Sequence, residues 1–233
     1  MTELELLHQR IHNCEKCPRL RKHCLKVARE KRRAYMDDTY WGHPIPGFGD
    51  PKAELVIVGL APAAHGANRT GRIFTGDRSG DWLYRALHRA GFANQPTSID
   101  RGDGLKLINT YISCAARCAP PQNKPTPAEL KRCMPYLEEE LRLLENARVY
   151  MVLGQIALNT LWPLIAPDTR KPAFGHGELA SVPPRSALGA PVQYLVMSYH
   201  PSQQNTFTGR LTEPMFDSVF SRAQNLLSKI AHC

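Results

Sequence analysis

The sequence predicts an α/β fold, a four-stranded, mostly parallel sheet flanked by helices, and three observations predict it. Short apolar runs rich in β-branched residues recur at Leu55–Val58, Leu107–Ile112, Val149–Leu153 and Val192–Met197, the composition of strands buried on both faces. Segments of helical period separate them, and strand–helix alternation of this kind implies a parallel sheet covered on both sides. Loops of Gly, Pro, Ala and Asn follow the runs, at the carboxyl ends where such sheets place their sites. A chain of 233 residues suits one domain with a full core. No repeat, low-complexity segment or long linker divides it, so residues 1–233 read as a single domain with a cysteine-bearing N-terminal arm over 1–50.

The elements follow in order. Thr2, with Glu5 three positions on, starts an amphipathic helix over 2–13. A basic helix runs from Pro18 to about Arg33, and Trp41–Asp50 is turn-rich and extended. After the first strand and its loop, Ser79 caps a helix carrying Trp82, Leu83, Ala86 and Leu87. Beyond the second strand, Thr126, Pro127 and Glu129 mark a helix start that reaches about Leu144. Gly154 and a short helix to Trp162 follow the third strand. Phe174–Val182 suits an edge strand or hairpin, Pro183-Pro184 a loop, and Pro214–Ile230 a closing amphipathic helix.

Formal net charge is +9, with Arg19, Arg21, Lys22, Lys26, Arg29, Lys31, Arg32 and Arg33 crowded near the N-terminus. Such a balance favours an acidic partner, most simply nucleic acid. No apolar run nears the roughly 20 residues that span a bilayer, and no signal segment opens the chain, so no membrane partner is expected and a cytoplasmic location is. Seven cysteines in that setting point to metal before disulfides. Cys14 and Cys17 form a Cys-x-x-Cys pair, and Cys118 with Cys133 makes a second pair. Four thiolates suit zinc or an iron–sulfur cluster, and spacing leaves both open. Cys24, Cys114 and Cys233 are spare.

The loop Gly59–Asp77 carries four glycines, Arg69, Arg72, Asn68 and two threonines. Glycines allow a ligand close to the backbone, and the polar groups supply donors. The loop lacks the Gly-Lys-Ser/Thr ending of a phosphate-cradling loop and the Gly-x-Gly-x-x-Gly of a dinucleotide site. It suits something flat and polar.

Three segments together carry a resemblance: Gly59-Leu60-Ala61-Pro62-Ala63-Ala64-His65-Gly66 with Asn68-Arg69-Thr70-Gly71-Arg72, then Arg117–Pro127, then His200-Pro201-Ser202-Gln203-Gln204-Asn205-Thr206-Phe207-Thr208-Gly209-Arg210. In this order, at predicted strand ends and with the cysteine pairs, they resemble the uracil-DNA glycosylase superfamily, specifically its type-5 (b-type) enzymes. The resemblance covers nearly the whole chain. It implies a three-layer sandwich, a [4Fe–4S] cluster on Cys14, Cys17, Cys118 and Cys133, and removal of uracil and other deaminated or damaged bases. Two departures stand out. Pro62-Ala63-Ala64 occupies the neighbourhood where many relatives place a water-positioning acid or amide. Cys114 stands where relatives often carry a uracil-reading asparagine, and a thiol cannot present an amide's paired donor and acceptor. The pocket, lined by Gly59 and Ala63, is therefore expected to be less selective for uracil.

Breaking an N-glycosidic bond leaves positive charge on the sugar and negative charge on the base, after the base leaves the stack. Phe74 is placed to stack on the extruded base. His200, as neutral imidazole, can donate to a base carbonyl that becomes anionic. Asp77 is the candidate for orienting water and stabilising the cationic sugar, with a turn or helix-cap role as its rival. Asn123 can hold water or the base, or simply form its loop. Gln203, Gln204, Asn205 and Phe207 suit entry into the minor groove with an apolar wedge. Arg69, Arg72, Lys124 and Arg210 are candidate phosphate contacts. The expected partner is double-stranded DNA, with single strands also considered, acted on by a monomer. A non-catalytic nucleic-acid-binding protein with a structural metal site is the rival function; it explains the charge and cysteines but not His200 with Asp77.

Overall fold

A computed structural model describes residues 1–182 and 194–231. The chain opens with α1 (Glu3–His12), closed by the reciprocal Thr2–Glu5 capping box, and α2 (Pro18–Glu30), followed by a 3-10 turn at Arg33–Tyr35. Then come β1 (Phe48–Gly49), β2 (Leu55–Gly59), α3 (Ala67–Thr70), α4 (Arg78–Arg89) and β3 (Thr110–Cys114). A 3-10 turn at Pro121–Asn123 precedes α5 (Pro127–Leu143), β4 (Val149–Leu153), α6 (Gln155–Ile165), β5 (Leu179–Ser181), β6 (Tyr194–Ser198), α7 (Gln203–Phe207) and α8 (Glu213–Ala231).

The sheet has six strands in the order β1-β3-β2-β4-β6-β5, which corrects the expected four. The central four, β3-β2-β4-β6, are mutually parallel, while β1 and β5 pair antiparallel at the two edges. The edge strands have two and three residues, too few to leave a periodic signal. Successive side chains of β2 alternate between two cores. Leu55 and Ile57 face α4 and α8 with Leu83, Leu87, Phe216 and Phe220, whereas Val56 and Val58 face α5 and α6 with Leu137, Leu141, Leu158 and Leu161. Helices on both faces make the three layers, and α1 packs outside α5 through Leu7, Ile11 and Tyr136.

Several boundaries differ from expectation for local reasons. The second parallel strand begins at Thr110 because Asn109 adopts φ 51, turning the chain while its amide exchanges hydrogen bonds with Glu54. Leu107 instead forms an antiparallel bridge to Ala93. The basic helix stops at Glu30, where Lys31 takes φ 54. The cap of α4 is Asp77, two residues ahead of Ser79. Val192, Pro183 and Pro184 lie outside the described residues. No helix among the described residues is long and apolar enough to cross a membrane.

β2 sits between β3 and β4, so the chain's progress reverses there. Open α/β sheets form their binding crevices beyond the carboxyl ends of strands at such a reversal. The register brings Gly59 level with Cys114 and Leu153 level with Ser198, which gathers the loops after β2, β3, β4 and β6 on one edge.

Candidate active site

Gly59 ends β2, and a Cβ there would lie 2.9 Å from the Phe74 ring. The ring therefore rests on bare backbone. Phe74 takes φ 52, a costly conformation for a bulky residue that its surroundings must enforce. Gly80 is part of that enforcement, since a Cβ at Gly80 would fall 1.8 Å from the Phe74 carbonyl oxygen. The Phe74 ring stacks against the His200 imidazole, with centroids 5.7 Å apart and planes 30° apart.

His200 follows β6 and makes no hydrogen bond through its side chain to the described residues. It is partly buried, with protein around most of the ring. Burial pushes its pKa down to about 4. The imidazole is therefore neutral near pH 7, and one ring N–H is free to donate. Asn205 fixes the backbone here by donating from Nδ2 to the His200 carbonyl at 2.8 Å, and Ser202 caps α7 by accepting from the Asn205 N–H.

Asp77 takes the helix-cap role with one oxygen and leaves the other facing the first loop. Its Oδ1 accepts from the Gly80 N–H at 3.0 Å, capping α4. Its Oδ2 faces the first loop so closely that a Cβ at Gly66 would lie 2.1 Å away. The cap fixes one oxygen and aims the other at the loop. Burial raises the Asp77 pKa, opposed by the backbone N–H groups of Gly80 and Ser79. Ala63 is half-buried, and its carbonyl accepts from Gly66 and Asn68 in holding the loop. Cys114 is 1% exposed, and its thiol donates inward to the Ala116 carbonyl at 2.9 Å. Burial pushes that thiol up to about 12, so it stays protonated.

The other candidates divide. Gln203 and Gln204 are exposed on α7, and Phe207 is 68% exposed at its end with the Arg78 guanidinium 4.3 Å over the ring. Arg210 is exposed and lies over Tyr199. Asn123 and Lys124 are exposed; Asn123 has φ 56 and its side chain bonds to nothing among the described residues. Arg72 corrects the phosphate expectation. It is 5% exposed, donates to both oxygens of Asp103, and also bonds Thr75 and Ser98. Arg69 is likewise spent internally, on Asp38, the carbonyls of His65 and Gly76, and the Tyr35 ring. Both arginines hold the first loop's shape.

Cys14, Cys17, Cys118 and Cys133 are free thiols, the last three 6% exposed and Cys14 partly so. They lie near one another and near Cys24: Cys17 and Cys118 pack in one buried cluster with Cys24, whose thiol pairs with that of Cys118, and Cys133 lies within electrostatic reach of Cys17 and Cys14. Among the described residues, no three or more His, Cys, Asp or Glu come close enough to hold a single metal ion. Cys24, spare by sequence, is buried with its thiol 3.6 Å from the Ala119 carbonyl; Cys233 lies outside the described residues.

Sequence reasoning missed a buried polar centre below the cleft. Glu140 on α5 is 0% exposed and accepts from Ser113 Oγ at 2.5 Å, Tyr111 OH at 3.1 Å and the Gly47 N–H at 3.0 Å. Arg117, 1% exposed, donates to both Glu140 oxygens at 3.2 and 2.5 Å. Ser113 precedes Cys114 and Arg117 precedes Cys118, so this centre anchors the carboxyl end of β3 and the approach to one thiol. A signal existed. Glu140 falls on the stripe of Leu137, Leu141 and Leu144 at helical spacing, a place where an acid needs a partner.

These loops, packed on the ends of parallel strands, define a chain of the uracil-DNA glycosylase superfamily, whose model matches residues 46–224; the chain belongs to that family. Within it, the chain is 51% identical over 222 residues to a type-5 uracil-DNA glycosylase of Mycobacterium tuberculosis, covering 94% of this chain and 80% of the relative. It is 46% identical to the type-5 enzyme of Thermus thermophilus, covering 95% of this chain and 97% of that one. A type-4 uracil-DNA glycosylase of Pyrobaculum aerophilum is 30% identical over 86% of this chain and 83% of its own.

Proposed function

We propose that this chain excises uracil and other deaminated or damaged bases from DNA by hydrolysing the N-glycosidic bond, leaving an abasic site. The observation that carries the reading is the stacked Phe74–His200 pair on bare backbone at Gly59, with Asp77 capping the next helix. The base must leave the duplex first, because its bond to the sugar is out of reach inside the stack. Phe74 offers the flat surface for it. As the bond breaks, electron density moves onto the base, and the neutral His200 N–H donates to the carbonyl that receives it. Asp77 supplies negative charge beside the electron-deficient sugar and orients the attacking water. Lys124, on the loop after β3, is exposed and is assigned to a phosphate, so the reaction is read as hydrolysis without a Schiff base. Gln203, Gln204 and Phe207 enter the minor groove, Phe207 filling the vacated stack, while Lys124 and Arg210 meet phosphates.

Cys14, Cys17, Cys118 and Cys133 are the ligands we assign to a [4Fe–4S] cluster. The donor set fits: four neighbouring free thiols, mostly buried, are the ligand type an iron–sulfur cluster takes. When bound, it ties the arm over residues 1–50 to the rest of a single domain and closes a chain loop of about a hundred residues. The enzyme is read as a cytoplasmic monomer acting on double-stranded and single-stranded DNA.

The decisive experiment incubates the protein with a duplex carrying one uracil and then cleaves abasic sites with alkali. Cleavage at the uracil is expected; binding without cleavage would leave a nucleic-acid-binding protein instead. Anaerobically purified protein should be brown and contain iron and inorganic sulfide. Colourless protein with stoichiometric zinc would overturn the cluster.

A further inference from the structure

The cationic helix α2 has no part in the chemistry above. Its buried face is Leu20, Arg21 and Cys24. Arg19, Lys22, Lys26 and Arg29 recur on the opposite side at helical spacing, all exposed, and exposed Arg32 and Arg33 follow in the next turn. Two of these charges are answered: Arg19 pairs with Glu129 at 2.7 Å, and Lys26 approaches Glu30 at 3.9 Å. Lys22, Arg29, Arg32 and Arg33 have no carboxylate partner among the described residues. Like charges left unpaired along one face repel one another, so the stripe costs the free protein stability.

This stripe is fastened to the mouth of the cleft. Asn68 of the first loop donates to the Cys24 carbonyl at 3.3 Å, and Tyr40 bonds His65 Nδ1 at 2.9 Å. The Gly42 and Trp41 N–H groups donate to the carbonyls of Asn68 and Arg69. The cations reach the loop electrically as well: burial lowers the His65 pKa, and Arg32, Arg69 and His23 lower it further. His65 belongs to the same loop whose Gly66 faces Asp77. At the end of β6 and α7, Arg78 lies over Phe207 and Arg210 over Tyr199.

We infer that the outward face of α2, with the Arg32–Arg33 turn, is a phosphate track that holds the duplex arm on one side of the extruded base. The inference rests on the reading of the chain as a DNA glycosylase. Its partner chemistry is a row of phosphodiesters, which a stripe of unpaired Lys and Arg meets without reading sequence. The track acts by binding alone.

The test compares two variants of the full-length protein with equal charge loss. One carries Lys22→Ala, Lys26→Ala, Arg29→Ala and Arg33→Ala; the other carries Lys52→Ala, Lys106→Ala, Lys171→Ala and Lys229→Ala, exposed lysines elsewhere. Fluorescence anisotropy measures their affinity for an undamaged duplex across a salt series. Each lost phosphate contact should flatten the slope of log K against log salt by roughly 0.9. The α2 variant is expected to lose about 2–4 in slope and at least about tenfold in affinity at low salt. The matched control should lose far less, and a Lys22→Arg, Lys26→Arg variant should behave like the parent. With duplexes cut short on either side of a uracil, only one truncation should erase the difference between parent and α2 variant. An unchanged slope, or equal losses in the two charge-matched variants, would overturn the track. Failure of the parent to excise uracil would overturn the functional reading instead, whatever the slopes.

Discussion

The cleft and the Glu140 centre below it both bury polar groups, yet they treat them in opposite ways. Around Glu140, donors from Gly47, Tyr111, Ser113 and Arg117 converge on one carboxylate. Burial alone would raise its pKa, but Arg117 and Ser113 outweigh that and lower it. In the cleft, the His200 ring stacks on Phe74, makes no side-chain hydrogen bond among the described residues and is pushed by burial toward its neutral form, while Asp77 spends one oxygen on a cap and keeps the other toward the loop. Saturated polar groups fix a shape, whereas groups left with unused capacity are held ready for a ligand. The two regions approach at the end of β3, where Ser113 bonds Glu140 and Cys114 pairs in register with Gly59.

The largest test strikes the saturated side. Glu140→Ala leaves the Arg117 guanidinium buried and unpaired, at a cost of about 3–5 kcal/mol. Denaturant unfolding should show that loss, and excision should fall with the folded fraction and not beyond it. Glu140→Gln should cost less. An alanine variant of near parental stability would dissolve the distinction between the two regions.

The cleft should answer the other way. His200→Ala removes a donor with no hydrogen-bond partner among the described residues and loses the stacking on Phe74, so its loss of stability should be well below that of Glu140→Ala. Single-turnover excision at saturating enzyme should drop roughly a hundred- to a thousandfold, the ~2.7–4 kcal/mol of one donor to a developing anion. Because the His200 pKa lies near 4, its neutral form is complete well below pH 7. The pH–rate profile should therefore show no inflection near 6.5 that disappears with His200.

Asp77→Asn comes next, with about a 10²-fold loss expected and the helix cap kept by the amide oxygen. Burial raises the Asp77 pKa, and the working form is the carboxylate. Excision by the parent should thus climb with pH through a value above the ordinary carboxylate range and then level off. The asparagine variant should lack that acid limb. An identical limb in both proteins would assign it to another group, and an undiminished rate would leave Asp77 a cap and return the water to Asn123.

The same contrast explains what the sequence made legible. Buried strands announce themselves by apolar runs, and the central four parallel strands were read because Leu55–Val58 and Val149–Leu153 are continuous. The edges were not, since pairing Phe48 with Ile112 or Ala180 with Leu195 depends on the partner's position. Phe74, Asp77 and His200 stand out in the sequence as loop residues, and the fold stacks Phe74 on His200 and makes Asp77 a helix cap. The error lay with Arg69 and Arg72, because an arginine in a glycine-rich loop looks the same whether it faces a phosphate or Asp103. Asp103 lies 31 residues beyond Arg72, and only the fold brings them together. Burial raises the Asp103 pKa, but hydrogen bonds from Arg72, Leu105 and Ile99 overcome it and hold the carboxyl at about 2.

Phe207 carries the smallest expected effect and sharpens the comparison most finely, because it belongs to neither buried set. With 68% of its surface exposed and only the Arg78 guanidinium over it, its removal should change stability by less than about 0.5 kcal/mol. Its proposed work arises only when a base has left a duplex and the gap must be filled. Filling the gap offsets part of the few kcal/mol that unstacking costs. Phe207→Ala should therefore slow excision from a duplex by about tenfold, near 1.4 kcal/mol by the general relation between rate and barrier. A single strand has no opposing stack to hold open, so uracil there should be removed at nearly the parental rate. Equal slowing on both substrates would make Phe207 part of the binding surface and not a wedge. No change on either would leave Phe207 an exposed aromatic at the end of α7 that serves only to carry Arg78 over its ring.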